Sequence, residues 1–409
     1  MKSIGEALRS MLPAFEPLGS ESLAVDSALD RHLAEDVPAR VDAPPFDNSA
    51  MDGYAVRTGQ TTEGAKSKVV GESRAGGGTP APLAEDAVMR IFTGAVMPEG
   101  ADAVVIQEDV DRDGEQIWFR KGASPRANIR FRGSDSKAGE TLLGQGLRVG
   151  PGEIGLLVSQ GIATVDVFRQ PSVAIMTTGD ELRELGEALD EGTIYNSNAH
   201  ALAAQVRAAG CRPVVFPIVG DSEHELRGSL ARALRHDVVL TSGGVSVGEH
   251  DHVRDAFESS GVKADFWKVA VKPGKPLSFG VGPGGRPVVG LPGNPISSMV
   301  TFEAFVRPCL RKMLGDPRPF RPPQSVRLTH PHRHSPRRPE LARGKLTHGP
   351  DGWELTLHRL QGSGSLPSMV DVDALVLLPA GEAEFEPGRR LQAILLRDET
   401  GHIHPPFEA

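Results

Sequence analysis

The middle of the chain carries the clearest alternation of apolar and polar segments. Residues 171–176 (PSVAIM) form a short β-branched apolar run that ends in the polar sequence TTGDE, which predicts a buried strand feeding a loop. Asn196, Ser197 and Asn198 then offer caps for the helix AHALAAQVRAAG, with Gly210 as its stop. Residues 212–219 (RPVVFPIV) read as a strand at an edge or with a broken ladder, because Pro213 and Pro217 lack the N–H. Ser222 and Glu225 have the spacing of a capping box ahead of ELRGSLARALR. Residues 237–241 (DVVLT) predict another buried strand, running directly into Ser242-Gly243-Gly244-Val245-Ser246-Val247-Gly248. Residues 288–291 are a further short strand, and 295–314 read as one long helix.

Strands alternating with helices at this spacing predict right-handed parallel βαβ units, an α/β core with a parallel, doubly wound sheet. Such sheets bind ligands beyond the carboxyl ends of their strands. That expectation places TGDE, Asp221, SGGVSVGEHD and LPGNP on one rim. The flanks differ. Residues 41–150 hold many short apolar runs cut by Gly, Pro and charged clusters, the pattern of a mostly β module. Gly315–Pro319 and Pro322-Pro323 mark a boundary, and 324–400 again show strand-like runs at 374–378 and 390–396. The N-terminal MKSIGEALRSMLPAF spaces Leu8, Met11 and Leu12 as an amphipathic helix without a signal peptide's apolar core, so a cytoplasmic protein is expected.

Composition narrows the function classes. At 409 residues the chain calls for several domains, and 39% hydrophobic with 24% charged residues is ordinary for a folded protein. The formal charge of −8, without a basic block, argues against nucleic acid as a partner, and 5% aromatic residues argue against base stacking. No run of about 18 apolar residues exists to span a membrane. The two cysteines, Cys211 and Cys309, lie in apolar stretches and read as buried, inert thiols.

Several loops hold candidate chemistry. The glycines of 242–248 follow a strand and would let backbone N–H groups approach an anion, or would simply turn the chain. Neither G-x-x-x-x-G-K-[ST] nor G-x-G-x-x-G spacing is present. Glu181, Asp221, Glu249 and Asp251 are acids on the same expected rim and suit a hard divalent cation beside a phosphate, although any one of them alone reads as a helix cap or a first-turn acid. Lys268, and Lys272 and Lys275 in KPGKP, are cations, the last two on a proline-stiffened loop fit for an oxyanion. In LPGNPISS, Asn294 and Pro295 read as a cap and first-turn proline, Ser297 lies in the first turn, and Pro292 has no capping role. FDNSAMDGYAV at 46–56 is a dense polar run with two acids. The cluster His330-Pro331-His332-Arg333-His334 lacks metal-ligand spacing and is expected to be a solvated linker loop.

Taken together, FDNSAMDGYAV (46–56), TGAVMPEGADAVV (93–105), RGSDSKAG (132–139), TTGDEL (177–182), TSGGVSVGEHD (241–251), KPGKPLSFG (272–280) and GLPGNPISS (290–298) resemble the molybdopterin molybdenumtransferase family, the molybdenum insertases of the MoeA and gephyrin E-domain type. The resemblance implies an elongated homodimer of multidomain chains: a discontinuous N-terminal domain at 1–45 and 136–168, a mostly β second domain at 46–135, an α/β molybdopterin-binding domain at 169–316 and a C-terminal β domain at 320–409. It implies insertion of molybdate into adenylylated molybdopterin with release of AMP, assisted by Mg²⁺, with a molybdopterin adenylyltransferase as the upstream partner. By the same resemblance Glu181, Asp221 and Asp251 would surround Mg²⁺ and the pyrophosphate. Ser242, Gly243, Gly244, Ser246 and Gly248 would cradle phosphate, with Lys268, Pro292 and Pro295 also lining the substrate site. Lys272, Lys275, Ser297, Arg343 and Ser363 would hold substrate and molybdate. Asp52, Thr93 and Asp135 would reach the pocket across the dimer interface. Two other classes remain in view: a scaffold of the same fold, since a relative of this domain clusters receptors, and an adenylyltransferase-like enzyme, against which the modules at 1–165 and 320–409 argue.

Overall fold

The computed structural model describes residues 1–220, 222–243 and 252–397. Its centre is a six-stranded sheet in the order Arg212–Val215, Ser172–Thr177, Val238–Ser242, Pro287–Leu291, Ser278–Val281, Lys263–Phe266. The first four strands are parallel, as the alternating pattern requires, and Ser278–Val281 runs antiparallel to both of its neighbours. A wholly parallel sheet is therefore corrected to a mixed one. The cause is local: Gly282 N–H donates to the Arg286 carbonyl at 2.8 Å and closes a turn through Pro283–Gly285, which sends the chain straight back as a hairpin rather than through a crossover helix.

Ser172–Thr177, Val238–Ser242 and Pro287–Leu291 are buried along their whole lengths, since helices cover both faces. One face packs on Ser197–Ala208, on the helical segment 295–313 and on the N-terminal helix Ile4–Met11. The other packs on Glu223–Ala233 and His252–Ser259. At about 1.5–3 kcal/mol for each fully buried Val, Leu or Ile, this double-sided core makes the sheet a rigid support for its end loops. The segment 295–313 is not one regular helix: Phe302–Val306 is a π turn between Pro295–Thr301 and Arg307–Met313. Pro308, which has no N–H to donate, sits just beyond that turn, where the regular ladder cannot continue.

Ser20–Ala24 pairs with Thr164–Phe168, and Val37–Pro38 with Thr141–Leu143, so distant stretches share one small core. The first eighteen residues do otherwise. Ala7, Met11 and Phe15 are buried in the α/β core, and Lys2 N–H donates to the Lys268 carbonyl at 3.3 Å. Between those stretches lies a six-stranded β module in the order Ala103–Ile106, Gly53–Val56, Ala87–Ile91, Lys66–Ser73, Gln116–Phe119, Val110–Asp113. The C-terminal part is a closed barrel of Pro323–Leu328, Gly352–Leu357, Glu340–Gly349, Ala374–Leu378 and Arg390–Leu395. No helix among the described residues is long and apolar enough to cross a membrane. Cys211 and Cys309 are buried and unpaired, and burial pushes the Cys211 thiol up to about 12 and Cys309 higher still.

The 330–334 segment corrects its expectation as a solvated loop. His332-Arg333 pairs with Glu384-Phe385, and the His334 side chain is only 1% exposed, because the short ladder turns it inward onto the Phe385 ring.

A candidate oxyanion site on the sheet rim

The parallel strands deliver Thr177–Glu181, Ser242-Gly243 and Leu291–Pro295 to one rim, and the antiparallel Ser278–Val281 begins there, so Lys275 joins them from the opposite chain direction. The loops are stitched together. Thr178 N–H donates to the Ser242 carbonyl at 3.1 Å. Asn198 donates from one Nδ2 to Ser242 Oγ at 2.9 Å and to the Gly293 carbonyl at 2.7 Å. Ser242 Oγ donates to the Pro292 carbonyl at 3.3 Å. Asn198 thus ties two loops, a role the sequence showed only as a possible cap; the actual N-cap is Asn196, whose Oδ1 accepts from Ala199 N–H at 3.2 Å. Gly243 has φ +93°, and a Cβ there would strike the Thr178 carbonyl, so this position needs glycine on both counts.

The KPGKP loop lies on the helix that carries Ser297. Gly274 has φ +117°, and a Cβ on it would collide with Thr301, whose Oγ1 donates to the Ser297 carbonyl at 2.7 Å. Ser297 and Pro292 are buried, Pro295 is half-buried and Lys275 is exposed. Asn294 does not cap its helix by a side-chain bond; its Nδ2 donates instead to Ser363 Oγ at 3.2 Å, and Ile296 N–H donates to the Ser363 carbonyl at 3.0 Å. The barrel loop is therefore seated on the LPGNP turn.

Behind Ser363 stands Arg343, 0% exposed. Its Nη2 donates to the carbonyls of Leu360 and Gly362 at 3.1 and 3.3 Å, while Nε and Nη1 have no partner among the described residues. Burial holds its guanidinium down to about 10. Gln361 clamps the same strand, its amide bonding the Arg343 N–H and carbonyl. Lys272 is joined to the barrel too: its N–H donates to the Pro339 carbonyl at 2.9 Å, its carbonyl accepts from Leu341 N–H at 2.8 Å, and its Nζ donates to Glu340 Oε2 at 2.9 Å. Glu340 escaped the sequence reading, although it lies three residues before Arg343 and its buried carboxylate bonds Lys272.

On the acidic side of the rim, the Glu181 carboxylate folds back over Gly179 and that of Glu225 over Gly220. The expected Ser222–Glu225 capping box is half made: Ser222 Oγ accepts from Glu225 N–H at 3.4 Å, but the Glu225 carboxylate turns to Gly220 instead of the cap. Among the described residues no group of three metal-capable side chains assembles. Asp221, Gly244, Ser246, Gly248, Glu249 and Asp251 lie outside the described residues. Lys268 sits at the sheet's far edge beside Lys2, Arg9 and Trp267. Asp52 and Thr93 meet each other, Thr93 donating from N and Oγ1 to Asp52 Oδ1 at 2.7 and 2.9 Å, and the backbone bond holds the Asp52 carboxyl below its ordinary range. Asp135 is exposed. No hydrogen bond or ion pair among the described residues links 46–135 to the rim of the same chain.

A mixed α/β sheet whose end loops meet a β-barrel at one rim, all on one multidomain chain, is the fold of the molybdopterin biosynthesis MoeA proteins. Three family models match in succession: the MoeA N-terminal region (domain I and II) over 2–161, the probable molybdopterin binding domain over 174–312 and the MoeA C-terminal region (domain IV) over 325–396. The molybdopterin molybdenumtransferase of Haemophilus influenzae is 39% identical over 79% of this chain and 80% of its own, and that of a Nostoc species 36% identical over 90% and 87%. A solved molybdopterin biosynthesis MoeA protein from Pyrococcus horikoshii OT3 superposes with a TM-score of 0.83 at 28% identity, covering 97% of this chain and 100% of that one. The chain belongs to the molybdopterin molybdenumtransferase family and is a transferase of molybdenum cofactor biosynthesis.

Proposed function

We propose that the rim is the place where molybdate enters adenylylated molybdopterin and AMP leaves. The observation that carries this reading is Arg343, a buried guanidinium with two nitrogens lacking a partner among the described residues, beside Ser363 and on the strand that holds Lys272. A tetrahedral dianion supplies the acceptors those donors lack, and charge-assisted bonds to it are among the strong ones. Lys275 and Ser297, brought alongside by the Gly274–Thr301 contact, complete a set of cations and hydroxyls. In this reading the 242–248 loop receives the phosphates, with Gly243 letting the backbone approach. Lys268, at the edge strand, serves the outer part of the substrate.

Glu181 with Asp221 and Asp251 are hard oxygen donors, the type Mg²⁺ prefers together with substrate phosphate. Bound there, the ion would neutralise charge on the pyrophosphate. The chain's own part is positioning: acids on one side of the rim and cations on the other hold the two reactants in fixed relation.

We further propose a homodimer, with Asp52, Thr93 and Asp135 serving the partner's rim. Leu156 and Val158 are exposed on the apolar helix Pro151–Ser159, with Leu147 just before it, and Phe46 and Met51 are exposed beside Asp52. A cytoplasmic setting and supply by a molybdopterin adenylyltransferase belong to the same proposal. Purified protein incubated with adenylylated molybdopterin, molybdate and Mg²⁺ should release AMP only when molybdate is present; release indifferent to molybdate refutes the reading.

A further inference from the structure

The cluster behind Lys272 is left unused by this reaction. Glu340 is 1% exposed; its Oε2 accepts from Lys272 Nζ at 2.9 Å and lies 3.4 Å from His334 Nδ1. The His334 side chain is equally buried, with the Phe385 ring centroid 5.4 Å from its own. Among the described residues neither nitrogen of His334 has a hydrogen-bond partner, and neither does Glu340 Oε1. Buried polar atoms left unsatisfied at adjoining positions need a reason.

The charges around His334 supply one. Glu340 lies against it and is bonded by Lys272 from the KPGKP loop, Arg343 follows on the strand of Glu340, and His332 and His330 share its own segment. With Lys272 bonded, Glu340 is neutralised. An oxyanion arriving at Lys272 competes for that ammonium, and the carboxylate, cut off from water, loses its cation. A buried charge deprived of its partner is strongly unfavourable. A proton on the neighbouring imidazole restores the balance, and histidine is the side chain that changes charge near neutral pH.

We propose that His334, acting through Glu340, couples oxyanion capture at Lys272 to the uptake of one proton, so that the site binds its oxyanion more tightly as pH falls through neutrality. The proton comes from solvent to the imidazole; none passes to the oxyanion. Glu340 then turns from the ammonium to the imidazolium, and Lys272 is freed for the anion. His334 is a positioning residue, and the inference rests on the molybdate-site reading above.

The test is calorimetric titration of the full chain with sodium molybdate between about pH 6 and 8.5, in buffers of differing ionisation heat. Wild type should take up close to one proton per molybdate at the upper end, and its affinity should fall by up to about tenfold per pH unit there. His334→Gln should abolish both the uptake and the slope. Glu340→Gln should abolish them too, and at the highest pH should bind molybdate more tightly than wild type. Wild-type binding without proton uptake, or a slope that survives in His334→Gln, overturns the coupling. Arg343→Met separates the two ideas: wild-type molybdate affinity in that variant means the site itself is misplaced, whereas lost affinity alongside a wild type that takes up no proton defeats the coupling alone.

Discussion

Replacing Arg343 with methionine removes a buried cation while keeping much of its volume, and the structure lets the effects on folding and on binding be weighed separately. Two carbonyls, of Leu360 and Gly362, lose their donor. At about 1–3 kcal/mol for each buried group left unsatisfied, that loss is roughly 2–6 kcal/mol. Against it stands relief from burying a charge: a guanidinium held down to about 10 carries a burial penalty of roughly 3 kcal/mol relative to its ordinary value. The two largely offset each other, so the variant should unfold within about 3 kcal/mol of wild type. Binding has no such compensation. If Nε and Nη1 each donate to molybdate, losing two charge-assisted bonds of about 1.5–3 kcal/mol weakens affinity by roughly 10²–10⁴-fold. Equilibrium dialysis with metal counting reads the affinity, and circular dichroism during urea unfolding reads the stability. An Arg343→Met protein that binds molybdate within threefold of wild type, or one that cannot fold, would refute the assignment of this guanidinium to the anion.

Other consequences are open to measurement. Asp237, bonded by Arg169 and by the Ser172 N–H and hydroxyl, has its carboxyl lowered to about 2 despite the burial that opposes this. Its folded value is depressed, so the stabilisation is present above the unfolded value near pH 4 and is lost as pH falls through about 2; it amounts to about 2 kcal/mol. Asp237→Asn should accordingly lower stability at neutral pH and flatten the acid-unfolding curve between those values; an unchanged curve would contradict the pairing. Gly243→Ala forces a side chain into left-handed backbone at about 1–2 kcal/mol and against the Thr178 carbonyl, so molybdopterin binding measured by pterin fluorescence should fall at least tenfold; undiminished binding would contradict the close approach. Asp52→Asn and Arg343→Met proteins, each inactive alone, should regain about a quarter of wild-type AMP release when mixed in equal amounts, unfolded and refolded together, because half the dimers are hybrids and one of the two rims in each carries neither change; no recovery would place Asp52 at its own chain's rim.

How far the sequence disclosed this varies with the kind of signal. The buried strands were legible because Ser172–Thr177 and Val238–Ser242, covered on both faces, are apolar runs with no alternation, and turn chemistry marked their ends. The antiparallel hairpin was not, since period alone cannot say whether a short apolar run returns by a turn or by a crossover. Pro308 inside an otherwise helical pattern marks a break in the ladder, but does not show that the break is a π turn. Lys272, Lys275 and Ser297 were recognisable as charged or hydroxyl residues on stiffened loops. Asn198 and Glu340 were not, because their work is to bond groups distant in sequence, and a lone amide or acid carries no local mark of such a partner. The inward turn of His334 depends on a two-residue ladder to Glu384-Phe385, a pairing fixed only by tertiary structure.

The most direct measurement is the anomalous X-ray signal from a crystal of this protein soaked in molybdate. The account predicts a peak within hydrogen-bonding reach of Arg343 Nε or Nη1, flanked by Lys275, Ser297 and Ser363. A peak elsewhere on the molecule, with none beside Arg343, would contradict it.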